Sequence, residues 1–363
     1  MKQAAAVSYI RQLCCLGLGG QIIMPELLRA LHAFIPSTFN MFLWADENYQ
    51  VSNMYSENSE LYSGQSLYFA EFHNSAEVLG YKTTFSGAMR TGHGWGNSER
   101  LGREYFSSDI FNRLIKPFDI RHGIEATIWE HGRGLGSIVL NRAPGEKPFK
   151  DEDEMRLRSL IPYIAHGLRG TRDLRGEATA SGESGIIIVD KQDKIVTFCP
   201  EGKRLLMLAT HTGIPRFDAP SLNSPALKHL CASLRSTLQG RPQPVPILRQ
   251  RNAWGEFVLR AYPLSTEGEP DGSIAVVIER HEPLPITLMR NMRTLPMTAR
   301  QREVCLLLSY GYSHSMIAQR MRVSKHTTTD YVRKIYDKLD VRSHDQLMTK
   351  IKKPPAIRQF FAG

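Results

Sequence analysis

The stretch from Met297 to Ile351 contains four helix-start signals in close succession, and it constrains the fold more than any other part of the chain. Thr298 can cap a first helix, and Gln301 three residues later can complete a capping box. Further capping residues follow at Ser313, Ser324 and Ser343. Gly311 supplies a stop for the first helix. The sequence therefore predicts a domain of four short helices.

The third of these helices has one apolar and one polar face. Thr328, Val332, Ile335 and Leu339 recur at helical spacing, so they are predicted to face a core. The opposite face presents Lys325, His326, Thr329, Asp330, Arg333 and Asp337. The second helix would bury Ile317, Ala318 and Met321, and only Arg322 to Ser324 separate the two helices. This pattern predicts a helix-turn-helix, whose second helix fits a major groove about 12 Å wide.

The string TARQREVCLLLSYGYSHSMIAQRMRVSKHTTTDYVRKIYDKLDVRS closely resembles the LuxR/NarL-type DNA-binding domain. The matching positions are Arg300, Glu303, Val304, Gly311, Ser313, Ile317, Ala318, Ser324, Thr327, Ile335, Lys338, Leu339 and Val341. The chain departs from the family's usual Glu, Val, His and Arg at Met316, Thr328, Tyr331 and His344. The resemblance covers only this C-terminal part of the 363 residues.

The resemblance implies that Thr329, Asp330 and Arg333 face the bases. Arg333 could bind guanine through O6 and N7, and Asp330 could accept from cytosine N4. The expected phosphate contacts are Lys325, Thr327, Lys334 and Lys338, and the capping Ser324 completes the predicted DNA-binding set. In the family the last helix pairs with a second copy, so Leu347 and its neighbours are expected at a dimer interface.

Charge is distributed unevenly along the chain. The formal net charge is +10. From Leu295 to Gly363 there are 13 Lys and Arg against 5 Asp and Glu, whereas the other residues hold 33 against 31. The basic excess therefore belongs to the predicted helical domain, as expected of a segment that binds nucleic acid.

Two segments look like connectors and divide the chain into three parts. One is polar and glycine-containing, Arg169 to Ser184, and the other is proline-rich, Arg280 to Pro296. We predict an α+β multidomain protein with a sensor domain over 1–170, a second domain over 185–282 and the helix-turn-helix domain over 293–353.

The first part combines helices with strands. Helices are predicted at Ala5 to Leu16, Pro25 to Phe34 and Asp151 to Leu168. The predicted strands form two hairpins, Asn40 to Trp44 with Gln50 to Tyr55, and Ala126 to Glu130 with Leu135 to Leu140 across the turn His131 to Gly134. This order, with the ending KPFKDEDEMRLRSLIPYIAHGL, resembles a GAF-type sensor domain over about Pro25 to Leu168.

The second part opens with a strand, Gly185 to Asp190, that turns and returns as Ile195 to Phe198 before a helix at Glu201 to Ala209. It closes with the strands Glu256 to Leu264 and Ser273 to Glu279 around a Gly/Pro/Asp-rich turn. The order of hairpin, helices and hairpin resembles a PAS-type domain over about Gly185 to Arg280. Cys199 stands where PAS domains commonly have Asn.

Several other sites are unsupported by the residue spacing. The five cysteines include no C-x-x-C pair, and His73, His93, His122 and His131 lack metal-ligand spacing, so no metal and no cofactor is expected. None of the four tryptophans has a Tyr four residues on, so the W-x-x-x-Y motif of acyl-homoserine-lactone receptors is missing. The run TGHGWG at Thr91 to Gly96 lacks the Lys of a phosphate loop and indicates a flexible loop. Asp190 lacks the paired acids expected of a phosphoacceptor in a receiver domain.

These patterns together predict a cytoplasmic transcription regulator without catalytic activity. Its expected partners are double-stranded DNA, a second copy of the chain, RNA polymerase and a small-molecule effector of unknown identity, and no membrane span is expected. Two alternatives stay open: an enzyme or small-molecule-binding protein with a DNA-targeting C-terminus, and a σ-factor-like protein. The sequence lacks a second aromatic, basic helical region of the promoter-melting kind, which argues against the σ-factor.

Overall fold

The computed structural model describes residues 2–170, 178–210, 225–241, 245–266 and 269–352. It contains two antiparallel β-sheets, each with helices, followed by a C-terminal group of helices. The predicted α+β class is confirmed.

The first part is a four-stranded sheet in the order β2-β1-β4-β3 with helices on both faces. Its elements are α1 Lys2–Cys14, α2 Gly20–Leu31, β1 Phe39–Ala45, β2 Val51–Ser56, α3 Gln65–Leu67, α4 Glu77–Tyr81, α5 Phe85–Thr91, α6 Gly102–Ser107, β3 His122–Glu130, β4 Arg133–Arg142, α7 Asp151–Arg158 and α8 Ile161–Leu168. Irregular helical turns at Ser59–Gly64, Tyr68–Ala76, Ser98–Leu101, Ile110–Ile115 and Lys116–Phe118 complete the layer between β2 and β3.

Strand alternation separates the two faces of this sheet. Phe42, Ile124 and Ile138 are fully buried and belong to a core shared with α1, α2 and α8. Met41 and Leu43 alternate with Phe42 on β1, so they point to the other face, under the helical turns of residues 59–118. The first sheet is therefore covered on both faces. A cavity lies between the sheet and the helical turns of residues 59–118.

Both predicted hairpins of the first part are present. β1 pairs with β2, and β3 pairs with β4 through a turn at His131 and Gly132, which both have positive φ. Two consecutive left-handed residues suit the right-handed twist of the flanking strands, which explains the tight turn.

The single helix predicted over Asp151 to Leu168 is wrong, because the segment forms α7 and α8 with a break at Ser159 and Leu160. Pro162 lies in the first turn of α8, where its missing N–H prevents α7 from continuing. Leu157, Leu160 and Ile164 are buried, whereas Ile161 and Leu168 are half-buried.

The second part is a five-stranded antiparallel sheet in the order β6-β5-β9-β8-β7. Its elements are β5 Ala178–Val189, β6 Ile195–Phe198, α9 Pro200–Thr210, α10 Pro225–Leu238, β7 Ile247–Asn252, β8 Gly255–Thr266 and β9 Glu269–Pro283. The Sγ atom of Cys199 accepts hydrogen bonds from the backbone N–H groups of Ile186 and Gly202, both at 3.2 Å. Cys199 thereby ties the first strand of this sheet to α9.

Neither predicted connector is a simple linker. β5 begins at Ala178, inside the segment 169–184, and residues 171–177 of that segment lie outside the described residues. The segment 280–296 contains the end of β9 and then α11, Leu284–Asn291, whose Ile286, Leu288 and Met289 are buried. Pro285 falls in the first turn of α11, a position where proline favours a helix.

One continuous hydrophobic core joins the three parts. Between the two sheets, the ring of Trp254 contacts Trp44 edge-on at 5.5 Å and lies 5.8 Å from Tyr55. Aromatic pairs of this kind add about 0.5 to 1.5 kcal/mol beyond area burial. Within the described ranges, no helix is long and apolar enough to cross a membrane.

Candidate nucleic-acid interface

The C-terminal part forms the four predicted helices. They are α12 Ala299–Ser309, α13 His314–Met321, α14 Lys325–Leu339 and α15 His344–Lys352. The stop predicted at Pro354-Pro355 lies outside the described residues.

Side-chain caps fix where these helices begin. Thr298 accepts from the N–H of Gln301 at 3.2 Å, and the Gln301 side chain accepts from the N–H of Thr298 at 2.9 Å, so the predicted capping box is confirmed. The three serine caps accept from backbone N–H groups as predicted, Ser313 at 3.3 Å, Ser324 at 3.0 Å and Ser343 at 3.2 Å. Each cap of this kind contributes about 1 kcal/mol.

The turn between α13 and α14 is tight because Arg322 adopts the left-handed conformation at φ 53°. The N–H of Val323 then donates to the carbonyl of Ala318 at 3.0 Å, which closes the end of α13. Ser324 starts α14 one residue later. Three residues, Arg322 to Ser324, therefore join the two helices, as predicted.

The inward face of α14 is the predicted one. Thr328, Val332, Ile335 and Leu339 are all buried. The Thr328 hydroxyl donates to the carbonyl of Ser324 at 3.3 Å, so the buried hydroxyl has a partner. Because this face is packed into the domain, the remaining faces of α14 are the ones presented to solvent.

The outward face carries the residues predicted to read bases. At 3.6 residues per turn, Thr329, Asp330 and Arg333 lie within about 100° of one another, opposite the buried face. The Arg333 side chain is 69% exposed, and it donates to Asp330 at 3.2 Å. His326 also approaches Asp330, at 3.7 Å. In the free protein, Asp330 and Arg333 therefore form a solvent-exposed ion pair on this face.

The residues predicted to hold phosphates lie at the flanks of this face. Thr327, Lys334 and Lys338 lie within about 40° of one another on one flank, and Lys325 lies on the other. The lysines are exposed, whereas Thr327 is half-buried and its hydroxyl is bonded to Ser324 at 2.8 Å. Lys338 Nζ donates to the Gln301 side chain at 3.1 Å. The eight predicted residues thus occupy the solvent-facing side and the start of one helix.

The expectation that Leu347 lies at a dimer interface is wrong for this arrangement of the chain. Leu347 and Ile351 are fully buried, and α15 packs against α11 of the same chain. The Asn291 side chain donates to the carbonyl of Ile351 at 3.0 Å and to that of Lys352 at 3.1 Å. α15 is therefore used to attach the C-terminal domain to the rest of the chain.

A second attachment links this domain to the N-terminal helix α1. Gln12 donates to the carbonyl of Ala299 at 2.7 Å, at the start of α12. The guanidinium of Arg293 lies over the Tyr9 ring, 4.8 Å from its centre. The C-terminal domain is thus held from two sides, by α1 and by α11.

A buried carboxylate on α2 connects these attachments. Glu26 is 1% exposed and accepts from the Tyr9 hydroxyl at 2.6 Å, from Arg29 at 2.7 Å and from Arg290 of α11 at 2.7 Å. Arg293 lies 3.7 Å away. Burial, together with the neighbouring Glu26, raises the pKa of Tyr9 well above its usual value. The α11 helix that precedes the C-terminal domain is therefore fixed to the first part through a buried charge.

A neighbouring carboxylate on β5 extends the network into the second sheet. Glu183 pairs with Arg29 at 2.6 Å, with Arg280 at 2.9 Å and with Arg204 at 3.4 Å. Burial alone would raise the pKa of Glu183, but these arginines together hold that pKa well below its usual value. Glu282 forms an ion pair with Arg290 at 2.8 Å, and burial raises the pKa of Glu282. The network therefore joins all three parts, and no sequence motif indicates it.

Two of the histidines weighed as metal ligands, His73 and His122, have other partners. His122 contacts Glu99 at 2.7 Å, and His73 contacts Tyr68 at 3.1 Å and Gln50 at 3.2 Å. In the part of the chain that the structure describes, no three His, Cys, Asp or Glu side chains converge as metal ligands do. The TGHGWG run is a loop in which Trp95 stacks on Tyr81, with ring centres 5.2 Å apart.

Comparison with known proteins identifies the C-terminal domain. Residues 295–351 match the family described as bacterial regulatory proteins, luxR family. The chain thus carries a luxR-family helix-turn-helix domain, as predicted. No curated protein matches the chain at a significant level.

Solved structures resemble the chain only weakly. Escherichia coli SdiA is 10% identical, with 90% of this chain and 87% of that chain covered and a TM-score of 0.29. The Vibrio cholerae VqmA dimer is 18% identical, with 46% and 80% covered and a TM-score of 0.17. A phage VqmA in complex with DPO is 19% identical, with 58% and 95% covered and a TM-score of 0.19.

Proposed function

We propose that this chain is a transcription regulator that binds double-stranded DNA through α14. The observation that carries the proposal is the exposed polar face of α14, centred on Arg333, in a domain that matches the luxR family over residues 295–351. Its side chains have the chemistry that base edges and phosphates require. In this proposal Thr329, Asp330 and Arg333 read bases, and Lys325, Thr327, Lys334 and Lys338 hold phosphates.

The functional form is a homodimer on a pseudo-palindromic site. One helix-turn-helix makes a single insertion into the major groove, and two copies supply the further contacts that specific affinity requires. RNA polymerase is the partner through which such a bound dimer would act on transcription. Because Leu347 is used inside the chain, the dimer must form through another surface or after α15 leaves α11.

The two N-terminal parts act as a sensor in this proposal, and they are of the GAF and PAS types that the sequence resembles. An effector held there would favour one arrangement of the dimer and so set the distance between the two α14 helices. The buried network around Glu26 and Glu183 supports this idea, because it physically links α2 of the first part, the second sheet and α11. A change in the sensor that moved α2 would therefore also move α11 and change the position of the C-terminal domain.

The base-reading assignment is tested by a matched pair of variants on neighbouring positions of α14. After selection of the preferred site from random DNA, we expect Arg333→Ala to weaken binding to that site by about 1 to 3 kcal/mol and to relax one position of it. We expect Lys334→Ala to weaken all sequences to a similar extent and to lower the salt slope by about 1. Equal effects of both variants on selected and random DNA would refute the assignment.

The dimer is tested separately by sedimentation of the full chain with and without a DNA fragment carrying the selected site. We expect two copies per two-fold site. A single copy bound with full sequence specificity would contradict the proposed arrangement.

A further inference from the structure

A cavity of about 150 Å³ lies in the first part, between the sheet and the helical turns of residues 59–118. The sheet contributes alternate residues of neighbouring strands, among them Met41, Leu43, Glu125 and Asn141. A cavity of this volume in a protein core can hold a molecule the size of benzene. The volume therefore suits a single ring with a small substituent.

Aromatic side chains form much of the remaining wall. Trp95 and Tyr81 are stacked with an interplanar angle of 18°, and Tyr105 lies 5.4 Å from Tyr81. Phe85 and Phe118 line the same space. Such walls favour a flat apolar ring, because aromatic pairs contribute energy beyond simple area burial.

Two buried amide side chains in this wall have unpaired polar atoms. Gln65 is 5% exposed and Asn141 is 4% exposed. Among the described residues, neither Oε1 of Gln65 nor Nδ2 of Asn141 has a hydrogen-bond partner. Leaving such an atom unpaired in a protein interior costs about 1 to 3 kcal/mol. A bound molecule with a polar group could satisfy them.

Two carboxylates, Glu77 and Glu125, also line the cavity, and they differ in how many of their oxygens are free to accept a hydrogen bond. Glu77 already accepts from the Tyr68 hydroxyl at 2.5 Å and from the backbone N–H groups of Asn74 at 2.8 Å and Phe85 at 2.9 Å. Both of its oxygens are therefore occupied, and Glu77 serves the structure of the wall.

The second carboxylate, Glu125, has an oxygen to spare. Its Oε1 accepts from Ser137 at 2.7 Å and from Thr127 at 2.9 Å, whereas Oε2 has only a long contact, 3.5 Å from the N–H of Gly96. Glu125 is 2% exposed, and none of the ion pairs among the described residues includes it. Burial raises the pKa of Glu125, against the lowering effect of its hydrogen bonds to Ser137, Thr127 and Gly96 and of the more distant charge of Arg158.

The glycine-rich run closes over this carboxylate. A side chain at Gly94 would overlap the carboxylate of Glu125, so only glycine allows this approach. The N–H of Glu125 donates to the carbonyl of Gly96 at 2.6 Å, and Trp95 between the two glycines covers the cavity. The TGHGWG run therefore forms one wall of the cavity around Glu125.

We propose that this cavity binds a ring-sized, mostly apolar molecule that carries no negative charge and donates a hydrogen bond to Glu125. An anion would meet a buried carboxylate that forms no ion pair among the described residues, and a plain hydrocarbon would leave Gln65, Glu125 and Asn141 unsatisfied. This inference rests on the proposed function in one respect. It assumes that the N-terminal parts bind an effector, and it names the chemical class of that effector.

The test uses four probes that share one ring and differ at its substituent: benzyl alcohol, benzylamine, toluene and benzoate. Calorimetric titration of the full chain near neutral pH should show benzyl alcohol and benzylamine binding at least about tenfold more tightly than toluene or benzoate. Labelled methionine methyl groups locate the site, because Met41 and Met54 line the cavity while Met316 is exposed on α13. We expect the Met41 and Met54 signals to shift and the Met316 signal to stay.

A matched pair of variants on one strand tests the role of the carboxylate. Glu125→Gln keeps the size of the side chain and should remove most of the discrimination against benzoate. Glu130→Gln changes the same strand outside the cavity, at a residue paired with Arg169, and should leave the order of the four affinities unchanged.

The proposal is overturned if benzoate binds the unmodified protein as tightly as benzyl alcohol, if none of the probes binds, or if the cavity methionines do not respond. None of these measurements involves DNA. If the probes do not bind as expected, the DNA-binding proposal is unaffected. If the chain does not bind specific DNA, the probe affinities still test the cavity proposal.

Discussion

The substitution Glu26→Gln tests whether the buried charge network holds the three parts together. Glu26 accepts from Tyr9, Arg29 and Arg290, and it is enclosed between α2 and α11. Glutamine has the same size as glutamate but no charge. Its NH₂ group is a donor, and it would stand where a carboxylate oxygen now accepts hydrogen bonds from Tyr9, Arg29 or Arg290. The substitution therefore removes the charge and at least one hydrogen bond without opening a cavity.

The expected cost follows from the partners that remain. Removing one member of a buried ion pair costs about 3 to 5 kcal/mol, because the other member stays buried and unpaired. Arg29 retains Glu183 at 2.6 Å and Arg290 retains Glu282 at 2.8 Å, so the loss should lie at the lower end of this range. We predict that the free energy of unfolding falls by about 3 kcal/mol.

Urea unfolding, followed by circular dichroism and by tryptophan fluorescence, measures this change. Trp254 is a suitable reporter because it is buried between the sheets, where its carbonyl accepts from Arg280 at 2.9 Å. Glu303→Gln is the matched control, since Glu303 forms an exposed pair with Arg300 at 2.9 Å and pairs of this kind contribute at most about 1 kcal/mol. A loss for Glu26→Gln no larger than that of the control would refute the structural role of the network.

Three further outcomes are expected. Thr328→Val should change stability by less than about 1 kcal/mol, because the carbonyl that loses the hydroxyl keeps a backbone partner; a larger loss in thermal unfolding would contradict this. Gly94→Ala should destabilise by about 1 to 3 kcal/mol by displacing Glu125, while Gly145→Ala, which meets open space, should be nearly neutral, and equal melting temperatures of the two variants would disprove the close approach. The lowered pKa of Glu183 means that its ionisation stabilises the fold at neutral pH and that this contribution is lost as the pH falls below about 5, so the stability gap between the unmodified chain and Glu183→Gln should narrow in acid; a constant gap would contradict it.

Local signals allowed the C-terminal domain to be predicted in detail. Each helix start depends on a side chain and an N–H group three residues apart, as in Ser324 with Thr327. Both partners of the interaction can therefore be read from a short stretch of the sequence. The buried face of α14 follows from the helical period in the same way. The eight predicted DNA-binding residues were found together on α14 and its cap for this reason, although their contacts with DNA stay predictions.

The features that could not be predicted depend on distant residues. Arg290 meets Glu26 across 264 positions of the chain, and nothing near either residue signals the partner. The proline-containing segment after Arg280 reads as a linker, yet it forms α11 because Ile286, Leu288 and Met289 are buried against other parts of the fold. Tertiary burial thus overrides the local signal in these places, and the same holds for the cavity around Glu125.

The most direct test of the central claim is to recover genomic DNA fragments from the source organism that bind the full chain at physiological salt, and to sequence them beside those bound by Arg333→Ala. The account predicts sharp, two-fold-related recognition sequences that are lost or broadened in the variant, because the guanidinium of Arg333 would contact base edges. Uniform recovery of fragments by both proteins would show that the domain binds by charge alone, and it would contradict the claim that α14 reads sequence.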